Sequence, residues 1–178
     1  MKTHDFLQTY PACYSGQEFA RQYPTMREVW DACPRADWLL WILRHVGLSH
    51  HEIPLRRFTC ACIRGTPIKD GRTVWDLLSD PRSRKAIEVV EAYCAGEGTA
   101  EDLLNAANAA YVAYAADAIV SGTTAAATTA AAYVAHAATA AYTYADAAVY
   151  AADYVADDAA AARLWQANEL RKHIPNPF

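Results

Sequence analysis

The chain has 178 residues with 53% hydrophobic and 20% charged side chains, enough for one core and giving no reason to propose two domains. Its net charge of −4 excludes direct nucleic-acid binding as the expected activity, since phosphate neutralisation needs clustered Lys and Arg. No apolar run follows Met1-Lys2-Thr3-His4-Asp5, so a secretory signal is not expected, and five cysteines, an odd number, point to reduced thiols and a cytoplasmic location.

Helix punctuation runs the length of the chain and strand signals are nearly absent, which predicts an all-α, single-domain helical bundle over 1–178. Thr25-Met26-Arg27-Glu28 reads as a capping box opening a helix through Cys33. Pro34 suits the first position of the next helix, Arg35 to Val46, which Gly47 closes. Trp38 and Trp41 share one face of it and, with Trp30, are expected in the core. Ser49-His50-His51-Glu52 is a second capping box for a helix ending at Gly65, and Thr66 to Gly71 reads as a loop. A short helix is expected over Thr73 to Leu78, and a stronger one begins at Pro81 after the cap Asp80 and ends before Gly96. Thr99-Ala100-Glu101-Asp102 opens a helix running to Ser121-Gly122.

From Thr123 to Ile174 there is neither Gly nor Pro. A single helix of that length would span roughly 75 Å, so a break is expected near Thr139 to Thr143, where Thr143-Tyr144-Ala145-Asp146 offers a fresh capping box. Three Ala-rich helices over about 100–121, 123–140 and 143–173 would then pack at short interaxial distance, anchored by tyrosines such as Tyr111, Tyr114 and Tyr133. Gly122, the threonines and His136 interrupt the uncharged run 118–145, which excludes a membrane span there.

Charge is strongly segregated. Residues 86–162 contain ten carboxylates and no Lys or Arg, a net −10; residues 1–85 hold thirteen cations against nine carboxylates, +4, and the tail from Arg163 holds three against one, +2. The chain therefore divides into a Trp-containing, mildly basic subregion over 1–98 and an acidic Ala-rich subregion over 99–174. His136, Thr139, Thr143, Asp146, Tyr150, Asp153 and Asp157 recur at helical spacing, and on a continuous helix they would form one polar stripe. That stripe reads either as a solvent face or as a contact ridge whose carboxylates repel one another until a basic surface offsets them. Arg56, Arg57, Arg64, Arg82, Arg84 and Lys85 could supply that surface internally.

No phosphate loop, nucleophile elbow or paired-Cys ligand set occurs, Cys60-Ala61-Cys62 lacks zinc-knuckle spacing, and His50-His51-Glu52 lacks the i, i+4 spacing of helical metal pairs. The expectation is a non-catalytic protein without cofactor or metal, with its thiols in the core. Partner contacts are assigned to Asp146, Tyr150, Asp153, Tyr154, Asp157 and Asp158.

The run Trp30 to Trp41 (W-D-A-C-P-R-A-D-W-L-L-W), Asp80-Pro81-Arg82-Ser83 with Ala86-Ile87-Glu88, the Ala/Tyr/Asp tract and the ending Arg171-Lys172-His173-Ile174 resemble a family of Ala-rich proteins of phages, prophages and gut metagenomes. The same pattern is similar to immunity proteins found near bacterial toxins. The resemblance implies an all-α fold and a mobile-element setting, and supplies no catalytic residues. The expected function is inhibition of a bacterial defence or toxin protein with a basic surface, of the anti-CRISPR or immunity type. The alternative is a structural protein that self-associates, as a homodimer, through its Ala-rich helices.

Overall fold

The computed structural model describes residues 1–47, 51–68, 71–120 (side chains to 113), 149 and 158–178. These form α1 (Thr3–Thr9), α2 (Tyr14–Ala20), α3 (Met26–Ala32), α4 (Ala36–His45), α5 (Glu52–Gly65), α6 (Val74–Leu77), α7 (Pro81–Ala95), α8 (Ala100–Val120) and α9 (Ala159–His173). The protein is all-α; extended pairing among the described residues is confined to the isolated bridges Lys2–Thr25 and Pro67–Thr73.

Local chemistry sets most helix starts. At α3, Glu28 donates its backbone N–H to Thr25 Oγ1 at 3.3 Å and accepts from the Thr25 N–H at 3.0 Å. At α8, Asp102 returns the same exchange with Thr99, at 2.8 and 3.1 Å. Asp80 caps α7 through the Arg82 N–H at 2.8 Å, with Pro81 at the first helical position, where a missing N–H costs nothing. Asp76 accepts from the Thr73 N–H at 2.7 Å to open α6, an arrangement the sequence reading passed over. Gly47 after α4 and Gly96 after α7 sit at φ 77° and 83°, the left-handed conformation that ends a helix.

These caps tie stability to pH. Hydrogen bonds from Thr73 hold the Asp76 carboxyl below its ordinary value of 3.8, those from Arg82 do so for Asp80, and those from Thr99 do so for Asp102. A group depressed in the native state contributes stability above its unfolded pKa and loses it as pH falls through the native one. The urea midpoint is therefore expected to fall as pH drops below the ordinary carboxyl value of 3.8. The triple variant Asp76→Asn, Asp80→Asn, Asp102→Asn should show a shallower decline; an unchanged slope would assign acid sensitivity elsewhere.

Other boundaries differ from expectation. Helices α1 and α2 were not predicted, because Thr3–Thr9 and Tyr14–Ala20 carry no side-chain cap at their starts. Pro34 lies outside α4, whose N-cap is Arg35 in extended conformation. Ser49 and His50, half of the expected box, lie outside the described residues; α5 starts at Glu52 after the N-cap His51, and the Glu52 carboxylate accepts from Arg56 one turn on. The last helix does not run from 143: Asp158 takes a non-helical φ of −116° and α9 begins at Ala159. The segment 123–140, the break near Thr139–Thr143 and the box at Thr143–Asp146 lie outside the described residues.

Helix α5 is central, packing on α6, α7 and α9, and α9 also meets α4. Phe58, Leu55 and Ile63 from α5 are fully buried with Leu39 and Leu43 of α4, Ile87 of α7 and Leu170 of α9. Each such side chain contributes about 1.5–3 kcal/mol of burial free energy. Trp30 is likewise buried, whereas Trp38 and Trp41 are only half-buried and pack at the edge of the core. Ala86, Ala106 and Ala110 form the seam between α7 and α8, flanked by Val89. Methyl-only contacts let these two helices approach closely; the packing expected among 100–121, 123–140 and 143–173 involves residues outside the described ones.

Candidate functional site

Of the residues assigned to partner contact, Asp146, Tyr150, Asp153, Tyr154 and Asp157 lie outside the described residues, as does His136. Asp158 is described, exposed and committed: its Oδ1 accepts from the Ala160 and Ala161 N–H groups, both at 3.0 Å. It is the N-cap of α9, and its negative charge also suits the positive end of that helix. The ridge reading treated Asp158 as one more surface carboxylate and missed its cap role. Ala159-Ala160-Ala161 after an aspartate was the signal.

The six cations proposed to offset the acidic ridge have these partners among the described residues. Arg56 reaches Glu52 at 2.9 Å, Arg64 reaches Glu91 at 2.7 Å, Arg82 reaches Asp80 at 2.7 Å, and Lys85 reaches Glu88 at 3.4 Å. Arg57 donates to the Cys94 carbonyl at 2.7 Å and Arg84 to the Leu78 carbonyl at 2.8 Å. Arg64 and Arg84 also lie over the Trp75 ring, 3.9 and 5.4 Å from its centroid. Each of these partners falls within residues 52–94. Glu88 and Glu91 are thereby offset, while Glu97, Glu101, Asp102 and Asp158 stay exposed.

The outward face of α8 joins those carboxylates to apolar surface. Leu103, Ala106, Ala110 and Ala113 are buried, which turns Glu101, Leu104, Asn108, Tyr111 and Val112 outward. Leu104, Tyr111 and Val112 are 61%, 55% and 53% exposed. Tyr111 was expected to lie over alanines, but it stands on the outer face, because the inner one meets α7. Three large apolar side chains thus stand exposed on the same helix as Glu101.

A second feature lies in the basic part of the chain. Helices α1 to α4 enclose a cleft of about 390 Å³ walled by Phe6, Phe19, Met26, Trp38, Trp41 and Ile42, with Cys13, Arg35, Asp37 and Arg44 also on its lining. Two aromatic contacts brace it: Phe6 meets Trp41 edge-on at 5.9 Å, and Phe19 meets Trp38 at 5.7 Å.

Four thiols are buried as expected, Cys33, Cys60, Cys62 and Cys94, whereas Cys13 is exposed rather than in the core. Burial pushes the Cys33 thiol up to about 11 and raises those of Cys60 and Cys94 as well, so these three remain protonated and inert at neutral pH. Among the described residues no group of three or more His, Cys, Asp or Glu could hold a metal ion, and no helix is long and apolar enough to cross a membrane. Comparison with models of known protein families, with curated proteins and with solved structures finds no match.

Proposed function

We propose that this chain is a non-catalytic binding protein of a mobile element that docks an acidic helical surface on a basic face of a bacterial toxin or defence protein and blocks it, as immunity and anti-CRISPR proteins do. The observation that supports this most is the placement of charge. Residues 86–162 carry ten carboxylates and no Lys or Arg. Carboxylates left in that state repel one another, and a basic partner relieves the repulsion while accelerating encounter. The residues assigned to partner contact are Asp146, Asp153, Asp157 and Asp158 with Tyr150 and Tyr154. The partner that suits it is a protein whose own function needs a basic groove, such as a nucleic-acid-cleaving toxin.

The test is affinity capture from a bacterial lysate at low and high salt, followed by titration of the purified partner. The variant Asp146→Lys, Asp153→Lys, Asp157→Lys with Asp158→Asn reverses the ridge while keeping a side chain able to cap α9. It should weaken binding at least tenfold, mainly through association rate, and flatten the salt dependence. Unchanged affinity and salt slope would refute the reading, and capture of the chain by itself, with mass rising with concentration, would favour self-assembly.

A further inference from the structure

We propose that the cleft between α1, α2, α3 and α4 is a binding site for a small amphipathic organic anion, one with a flat aromatic or branched apolar body and a single carboxylate or sulfonate. The cleft is lined by residues 6–44, in the basic part of the chain, and its role is independent of the partner reading above.

Size comes first. About 390 Å³ lies within the range of small-molecule sites, roughly 300–1,000 Å³, and is far larger than the packing defects of an ordinary core. Lining comes second. Phe6, Phe19, Trp38 and Trp41 present ring faces and edges from three helices, and Met26 and Ile42 add adaptable apolar surface. The Phe6–Trp41 and Phe19–Trp38 contacts hold these rings apart in fixed pairs, so the walls are pre-formed rather than collapsed on each other.

Charge then selects the ligand. The Arg35 guanidinium sits 4.6 Å over Trp38 and pairs with Asp37 at 2.6 Å, so those two charges offset each other. Arg44 also borders the cleft, is exposed, and has no hydrogen bond or ion pair among the described residues. The balance on the lining is one positive charge at a solvent-facing position beside an apolar interior. A cation would be repelled and a polar neutral would lose hydration, whereas an anion with an apolar body satisfies both parts.

Cys13 makes the proposal measurable, because it lines the cleft and is the exposed thiol among the five. Two probes of matched ring system separate the apolar and ionic contributions: anilinonaphthalene sulfonate and the uncharged phenylnaphthylamine. With the purified full chain, calorimetry should give one sulfonate per chain. Bound probe should quench tryptophan emission and slow the reaction of Cys13 with dithionitrobenzoate at least tenfold. Arg44→Glu, on an exposed position, should weaken the sulfonate at least tenfold and leave the neutral probe unchanged. Gly16→Leu, which places a side chain against Cys13 on the wall of the cleft, should weaken both. No saturable binding, binding without protection of Cys13, or equal sulfonate affinity in the Arg44→Glu variant would each overturn the assignment.

Discussion

Replacing Arg171 with methionine should cost about 3 kcal/mol of folding stability, a loss large for a side chain on the last turn of a terminal helix. Arg171 donates through Nε to the Trp30 carbonyl at 3.0 Å, and through Nη2 to the same oxygen at 2.6 Å and to the Cys33 carbonyl at 2.5 Å. Those carbonyls end α3, which closes with Cys33 in extended conformation and is followed by Pro34, which has no N–H to donate. The guanidinium is thus the C-terminal cap of α3, delivered from α9. Its burial lowers its pKa, yet an arginine stays charged at any ordinary pH. Methionine keeps the apolar stem and removes the donors from two part-buried carbonyls, so the loss isolates the hydrogen bonds. Lysine should recover only part, because one ammonium cannot reproduce the fork. Urea unfolding with an unchanged m-value measures it, and a melting-temperature drop of roughly 6–12 °C should accompany it for a chain of this size. Arg82→Met is the control: its pair with Asp80 is at the surface and should be worth at most about 1 kcal/mol. A loss below 1 kcal/mol at Arg171 would mean that water caps α3 instead.

Gly65→Ala should destabilise by about 2 kcal/mol, opposite to the usual gain from removing a helical glycine. A Cβ at Gly65 would stand 2.6 and 2.7 Å from Cζ2 and Cη2 of the Trp165 ring, closer than real contacts allow. The Cζ2–Cη2 edge of the indole comes up to Gly65 at the end of α5, joining α9 to α5. To admit a methyl group it must rotate away and lose that packing. The Gly65→Ala change in a Trp165→Leu background should cost much less or become favourable, and this non-additivity is the signature of the contact. Additive costs would place the strain elsewhere.

Both effects show where sequence reasoning stops. Gly65 was legible as a helix terminus, and α5 does end there, but the demand on it is a close approach by a residue 100 positions later. Trp165 has no special spacing in Ala-Arg-Leu-Trp-Gln and drew no notice. Arg171 was read only as part of a basic ending. The cleft was equally hidden: Trp38 and Trp41 carry the periodicity of core residues, and α1 and α2, which close over them, lack the caps by which a helix announces itself. Asp158 was noticed for its charge and proved to have a local structural task as well.

What the amino-acid order alone determined is what acts within about four residues along the chain. Capping boxes at Thr25 and Thr99, the Asp80 cap, glycine stops at Gly47 and Gly96, the all-α class and the segregation of charge follow from side chains reaching their own backbone or from simple counting. What only the tertiary structure decided is which distant groups meet: Arg171 on the carbonyls of α3, Trp165 on Gly65, the arginines on partners within 52–94, and four short helices around one apolar cleft. Those pairings depend on packing many weak contacts at once, and no single stretch of sequence carries that information.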